Sequence, residues 1–318
     1  MRSKDLVSIC IPIYNGKPFL YDCIKSVSTQ VYTNLEVLVS DDGSVDGSLQ
    51  FFEKVYRELE ISFPLRIFEN KGLGISKNCN FLAANASGIF IKFLFQDDII
   101  DEDFLSEMLL PLKDNSNVSL VFCNRRLKLE SNSKESLNIY EGCRDLSAKW
   151  SKLKPIQDGF DLFDDHFLLD APINKVGEPS STLVSKKHFA KVGGFSEDLK
   201  QLLDLELWVK LFAVGKVAFV DKELSTFRIH KQQESFNNLV NDTSTGEAIE
   251  LYLNLLTDSL YTQISSQTKL KICKKLTLAA VGDKIDSEVF NRKVLDLNNI
   301  IDDKETEIIK KSNRISFM

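Results

Sequence analysis

The chain has 318 residues, enough for one large domain or two modest ones. A hydrophobic content of 43% and a charged content of 27% describe a globular protein, not a disordered or membrane-embedded one. The formal net charge of −6 excludes broad attraction to nucleic acid or anionic lipid and leaves room only for a local basic pocket.

The opening stretch, "MRSKDLVSICIPIYNG", has too short an apolar run for a signal peptide and no cleavage pattern, so Leu6–Ile13 reads as a buried strand. No run reaches the ~18 apolar residues of a membrane helix. "PFLYDCIKSVSTQ" then places Phe19, Leu20, Cys23, Ile24 and Val27 on one helical face. "LEVLVS" is a second strand ending at Asp41-Asp42-Gly43-Ser44, and the next helix carries Leu49, Phe52, Val55, Tyr56 and Leu59. "LRIF" is a third strand. Gly72 and Gly74 open the helix "ISKNCNFLAANA", and "IFIKFLF" is a fourth strand that runs into Asp97-Asp98. Such βαβ alternation calls for an α/β fold with a mainly parallel sheet covered by helices on both faces. Ligands of these sheets bind at the carboxyl ends of the strands. Tyr14-Asn15, Asp41-Asp42, Asn70-Lys71 and Asp97-Asp98 all fall there, so four polar clusters converge on one rim.

Beyond residue 118 the strands look less regular, and the polar stretch 130–157 reads as a mobile surface loop. "QLLDLELWVKLFAVG" has an apolar stripe at Leu203, Leu207, Leu211 and Val214, and "VAFVDKELSTFRIH" returns as extended chain. From about Glu247 the pattern is helical. This divides the chain into a catalytic part, 1–244, and a C-terminal helical appendage, 245–318. The appendage's apolar faces need burial, either on the rest of the chain or in a homodimer. The charged stretch "DDKETEIIKK" near the C-terminus argues against deep membrane insertion. The six cysteines are scattered without a CxxC pair, which fits free thiols in a reducing compartment.

Each cluster also has a plain structural reading. Adjacent acids commonly mark a surface turn, and Asp-Gly favours turns by itself. At the end of a buried strand, however, oxygen-only ligands suit Mg²⁺ or Mn²⁺ held against a substrate phosphate. Gly72-x-Gly74 lacks the spacing of a dinucleotide loop, though Lys71 and Lys77 can pair with a diphosphate. Asp204 is either a solvated helix acid or a general base. His230 is either a surface histidine or a contact to metal or phosphate.

Taken in order, these motifs resemble the family 2 glycosyltransferases of the GT-A fold. The resemblance covers roughly residues 6–235 and rests on "VSICIPIYNG", "LEVLVSDDGSVDGS", "NKGLGISKNCNFLAANASGIFIKFLFQDD", "GEPSSTLVSKKHFAKVGGFSEDL", "LLDLELWVKL" and "FRIH". It implies that Pro12 and Tyr14 line a nucleobase pocket and that Asp42 hydrogen-bonds the base. It also implies that Asn70, Lys71, Lys77 and Asp97 lie beside the nucleotide. Asp97 and Asp98 fill the metal role of the family's DxD motif, with His230 as a further contact, and the cofactor is Mn²⁺ or Mg²⁺. Asp204 matches the catalytic base of inverting members. The implied donor is a nucleotide sugar, a UDP-sugar foremost, and the acceptor a glycan or lipid-linked hydroxyl. The implied setting is surface polysaccharide or glycoconjugate synthesis in the cytoplasm, with peripheral attachment at the inner face of the membrane as a variant. Two positions depart from the pattern: Phe95 stands where the first acid of DxD is usual, and Leu203 stands where an acid often precedes Asp204. Two other readings remain open, a non-catalytic nucleotide-sugar-binding protein of the same fold and a nucleotidyltransferase. The latter's usual Gly-rich N-terminal loop is missing.

Overall fold

A computed structural model describes residues 5–113, 115–130, 133–166, 168–233 and 243–281. Strand β1 (Val7–Ile13), helix α1 (Leu20–Ser28), β2 (Leu35–Asp41), α2 (Ser48–Glu58), β3 (Leu65–Glu69), α3 (Ile75–Asn85) and β4 (Phe90–Phe93) follow in the expected alternation. β1 pairs in parallel with β2 and β4, and β2 with β3. Then come β5 (Ile99–Ile100), α4 (Phe104–Leu109), β6 (Val118–Leu129), α5 (Lys134–Cys143), β7 (Ile156–Asp158) and α6 (Gly159–Phe163). β8 (Thr182–Ser185), α7 (Lys186–Lys191), α8 (Leu203–Phe212), β9 (Lys216–Ile229), α9 (Thr243–Thr257) and α10 (Ser266–Val281) complete the described elements.

All nine described strands form one sheet in the order β3-β2-β1-β4-β8-β6-β9-β5, with β7 also paired to β9. Its first half is parallel, as expected. Its second half is mixed: β8 runs antiparallel to β4 and β6, whereas β6 and β9 are parallel.

Strand alternation sends successive side chains to opposite faces. Ile9 and Ile11 of β1 join Val37, Val39, Phe52 and Phe104 in one core, while Cys10 joins Leu38, Leu82, Phe93 and Trp208 in the other. The C-terminal helices belong to this second core through Leu251, Leu253, Leu255, Leu256, Ile272 and Leu276. Their apolar faces are therefore covered by the chain itself, which removes the sequence-based reason for a dimer through them. Leu278 and the charged stretch 302–311 lie outside the described side chains.

The surface-loop reading of 130–157 is corrected for its described part. Residues 134–143 form α5, capped by the Ser133 hydroxyl, which accepts the N–H of Ser136 at 3.2 Å. The helix leaves most of its side chains exposed, so its polar composition hides it.

Candidate functional site

The carboxyl edge of the parallel half forms one hydrogen-bonded ledge. Asn15 turns the chain after β1 with a left-handed φ of 48°, which asparagine tolerates better than most residues. Its N–H donates to Ser44 Oγ at 2.9 Å, and its Oδ1 accepts from Val45 N at 2.9 Å. Asp42 N donates to Ile13 O, and Asn70 N to Asp41 O, tying the ends of β1, β2 and β3 together.

Pro12 is buried inside β1, opposite Ser40, one step behind the rim. Cys10 O, which accepts from Leu94 N, faces β4, and by the strand repeat so does Pro12. The N–H that proline lacks thus falls where β1–β4 pairing stops at Cys10–Phe93. Tyr14 is 59% exposed and stands on the rim. Gln96 fastens it there: Tyr14 N donates to Gln96 Oε1, and Gln96 Nε2 donates to Tyr14 O, both at 2.9 Å. Gly16 leaves room for this clamp: a Cβ there would lie 2.1 Å from the Gln96 amide and would force that side chain to move.

Asp42 is buried, and its carboxylate accepts the N–H groups of Leu73 and Gly74 at 2.7 Å each. It therefore shapes the 72–74 loop, with one lone pair per oxygen remaining for a ligand. Asn70 Nδ2 donates to Ser40 Oγ at 2.8 Å. Lys71 is exposed beside it, and Lys77, also exposed, lies 3.7 Å from Glu197. An exposed pair of this length is weak, so Lys77 is available to a phosphate.

β4 is shorter than the apolar run implies. After Phe93 the chain leaves the sheet and turns at Phe95–Asp98, where Asp98 N donates to Phe95 O. The turn separates the two acids. Asp97 faces the rim, its Oδ2 3.0 Å from His230 Nε2. Asp98 points inward at 1% exposure, and its Oδ1 accepts from Arg228 N at 3.3 Å. Both partners come from the end of β9. Gln232 N donates to His230 Nδ1 at 3.2 Å, so the ring proton sits on Nε2 and is directed to Asp97. The imidazole also stacks on Phe19, with ring centroids 4.0 Å apart.

Beneath the turn lies a buried polar cluster. Lys92, fully buried in β4, donates to Pro179 O and Ser180 O and sits over the Phe104 ring. Burial pulls its ammonium down to about 7. Burial raises the Asp98 carboxyl well above the usual range, and the neighbouring Asp97 and Glu178 add to this. Glu178 is held by Arg125, Nε to Oε2 2.7 Å. Asp98 Oδ2 and Glu178 Oε1 are buried with no hydrogen-bond partner. An orphaned, desolvated carboxylate oxygen next to a rim acid and an imidazole is a donor set that fits a hard divalent cation. Among the described residues no preformed group of three or more His, Cys, Asp or Glu side chains is gathered around one point.

Asp204 lies in the first turn of α8, where a helix favours negative charge. Burial nevertheless pushes its carboxyl up to about 7, against opposing hydrogen bonds from Leu205 N and Asn174. Glu206 points elsewhere and pairs with Lys210 at 2.5 Å.

The structure brings Asp97, His230 and the β1–β3 rim to one edge, with Asp98 turned inward beneath it. Sequence reasoning missed Gln96, Lys92, Asn174 and Glu178. A lysine inside the apolar run "IKFLF" was the one legible signal among these, since a buried ammonium needs specific partners.

Residues 8–167 match the sequence model of glycosyl transferase family 2. An uncharacterized glycosyltransferase of Rickettsia prowazekii is 30% identical over 234 residues, 72% of this chain and 65% of that protein. The chain thus spans about two thirds of that relative. Among solved structures, Staphylococcus aureus TarS 1-349 in complex with UDP-GlcNAc superposes with a TM-score of 0.62 at 17% identity, over 94% of this chain and 82% of that one. A mannosyltransferase from Pyrobaculum calidifontis, in complex with GDP-Man and Mn²⁺, superposes with a TM-score of 0.60 at 15% identity, over 98% and 80%. At these identities the likeness shows the fold.

Proposed function

The chain belongs to glycosyl transferase family 2, and from that premise we propose that it moves a sugar from a nucleoside-diphosphate donor to an acceptor hydroxyl with inversion. The observation that carries the catalytic reading is Asp204, a carboxyl whose ionisation lies near neutral pH. A general base works best with a pKa close to the operating pH. Asp204 takes the proton of the acceptor hydroxyl, and the oxygen attacks the anomeric carbon. The bond from that carbon to the diphosphate breaks on the opposite side, and the nucleoside diphosphate leaves.

The nucleotide lies along the ledge. Tyr14 and Pro12 border the base, and Asp42 uses its free lone pairs on it. Asn70, Lys71 and Lys77 flank the remainder, and the lysines supply positive charge to the diphosphate. Asp97 and Asp98 would hold Mn²⁺ or Mg²⁺, and His230 would join them through Nε2 in the tautomer that carries its proton on Nδ1, with the Gln232 N–H contact released. When bound, such an ion stabilises the negative charge developing on the leaving diphosphate. UDP is the first nucleotide to try, because the TarS structure holds UDP-GlcNAc on the same fold. The resemblance supports a glycan or lipid-linked acceptor and a role in surface polysaccharide or glycoconjugate synthesis at the cytoplasmic side. Among the described residues no helix is long and apolar enough to cross a membrane.

Phe95 favours the second reading, a nucleotide-sugar-binding protein without turnover, because it offers no oxygen where the family pattern has an acid. One experiment separates the two. A panel of UDP- and GDP-sugars is screened by thermal shift with and without Mn²⁺, and nucleotide release is measured for each sugar that binds. Binding with release supports transfer, and binding without release supports the second reading. No shift with any sugar, with or without Mn²⁺, removes both.

A further inference from the structure

Asp204 is held by a side chain from outside its own helix. Asn174 Nδ2 donates to Asp204 Oδ2 at 2.9 Å and also approaches Gly177 O at 3.2 Å. Asn174 Oδ1 accepts from Val176 N at 3.1 Å and Gly177 N at 3.0 Å. Two backbone N–H groups converge on that oxygen, so the amide cannot be flipped and its nitrogen must face the carboxylate.

The segment carrying Asn174 is itself pinned. The adjacent Lys175 is buried, and its ammonium donates to the carbonyls of Leu168, Asp170 and Pro172 at 3.1, 2.6 and 2.9 Å. Trp150 Nε1 donates to Lys175 O at 3.2 Å. Trp208 Nε1 donates to Gly177 O at 2.9 Å. Trp208 lies four residues beyond Asp204, so it projects from the same face of α8. Segment and helix are thus joined twice, once through the tryptophan and once through the amide–carboxylate bond.

We infer that Asn174 is the positioning residue of Asp204, fixing its rotamer and favouring its charged form. This rests on the reading of Asp204 as the base. Among the described residues Asn174 is the one side-chain donor that reaches this carboxylate. The other ionisable groups facing it are Glu178, neutralised in part by Arg125 of β6, and the Cys143 thiol of α5. Neither supplies a donor that holds the carboxylate in place. A neutral donor suits a base: it orients the carboxylate and admits the charged form, whereas an ammonium or guanidinium partner would depress the pKa and make the group inert.

The test is a titration that does not depend on knowing the acceptor. Aspartate ¹³C-carboxyl labelling of the full chain, with Asp204 assigned by D204N, reads its midpoint directly. Asn174→Asp keeps an oxygen for Val176 N and Gly177 N but replaces the donor with a like charge, and Asn174→Ser keeps an oxygen near those N–H groups on a side chain too short to bring a donor to Asp204 in the same place. The midpoint is expected to rise by a unit or more in N174D and by less in N174S, which serves alone if N174D misfolds. With UDP-GlcNAc and Mn²⁺ as kinetic probe, UDP release by N174D is expected to fall about fivefold or more in kcat at pH 7, to recover towards pH 9, and to keep its KM. Midpoints and profiles that superimpose on wild type would overturn the inference. Full UDP release by D204N would instead overturn the base reading, whatever the Asn174 variants do.

Discussion

His230 and Asp97, 133 residues apart in sequence, meet at 3.0 Å across the rim. The last residues of β9 are thereby locked to the turn after β4, and the imidazole is held from behind by Phe19. This contact gives the rim acid a fixed orientation before any ligand arrives. Replacing groups that orient metal ligands commonly costs 10–100-fold in affinity. His230→Ala is therefore expected to weaken Mn²⁺-dependent UDP binding by about tenfold in isothermal titration. A titration identical to wild type would detach His230 from the site.

Asp97 and Asp98 should separate in one respect and agree in another. Asp98 is buried, and burial raises its carboxyl well above the usual range, so the neutral amide of Asn, which has nearly the same shape, is tolerated there. Asp98→Asn should melt like wild type without Mn²⁺. Asp97→Asn should also stay folded, because Asp97 lies in a turn at the sheet edge. Both variants should lose the Mn²⁺ dependence of UDP binding. Retention of that dependence in both would rule out the metal role.

The parallel half of the fold was legible because Ile9, Ile11, Val37 and Val39 alternate cleanly with Cys10 and Leu38, and because each strand stops at polar residues. Asp204 and His230 were legible through their place in ordered motifs. Other features depend on geometry that periodicity does not encode. That Asp98 turns inward while Asp97 turns outward follows from a hydrogen-bonded turn of four residues. Gln96 and Asn174 act through hydrogen bonds to partners 82 and 30 residues away, and nothing in "LFQDD" or "PINKV" announces them. α5 was hidden because it leaves most of its side chains exposed and so lacks an apolar stripe.

Asp204 links activity and stability to pH with opposite consequences. UDP release should rise with pH through a midpoint near 7 and fall about tenfold per unit well below it. Asp204→Asn should lower release by about 10²–10⁴-fold while UDP affinity holds. The folded carboxyl is raised above its unfolded value near 3.9, so its contribution is fully favourable below that value and is lost as pH rises through about 7. D204N should therefore melt progressively higher than wild type between pH 4 and pH 7, and the gap should level off above that. A gap that does not change with pH would mean that the carboxyl is not desolvated.

Glu247 of α9 fixes the approach to the Asp204 helix. Its carboxylate accepts the N–H groups of Lys200, Gln201 and Leu202 at 2.8, 2.9 and 2.8 Å, the three residues that lead into α8. Hydrogen bonds to a charged group contribute about 1.5–3 kcal/mol each when removed singly, and three that share one carboxylate do not add. Glu247→Ala is expected to cost about 2 kcal/mol, a drop of roughly 3 °C for a chain of this size. It should also lower kcat for UDP release more than it changes UDP affinity, since α8 carries Asp204 and not the nucleotide ledge. Deleting 245–318 removes the clamp together with Leu251, Leu253, Leu255, Leu256, Ile272 and Leu276, and exposes the face of the core that they cover. The truncated protein should aggregate, as a large uncovered apolar patch does. A soluble, monomeric and fully active truncation, or an E247A protein that melts like wild type, would show that the C-terminal helices are not needed to hold α8.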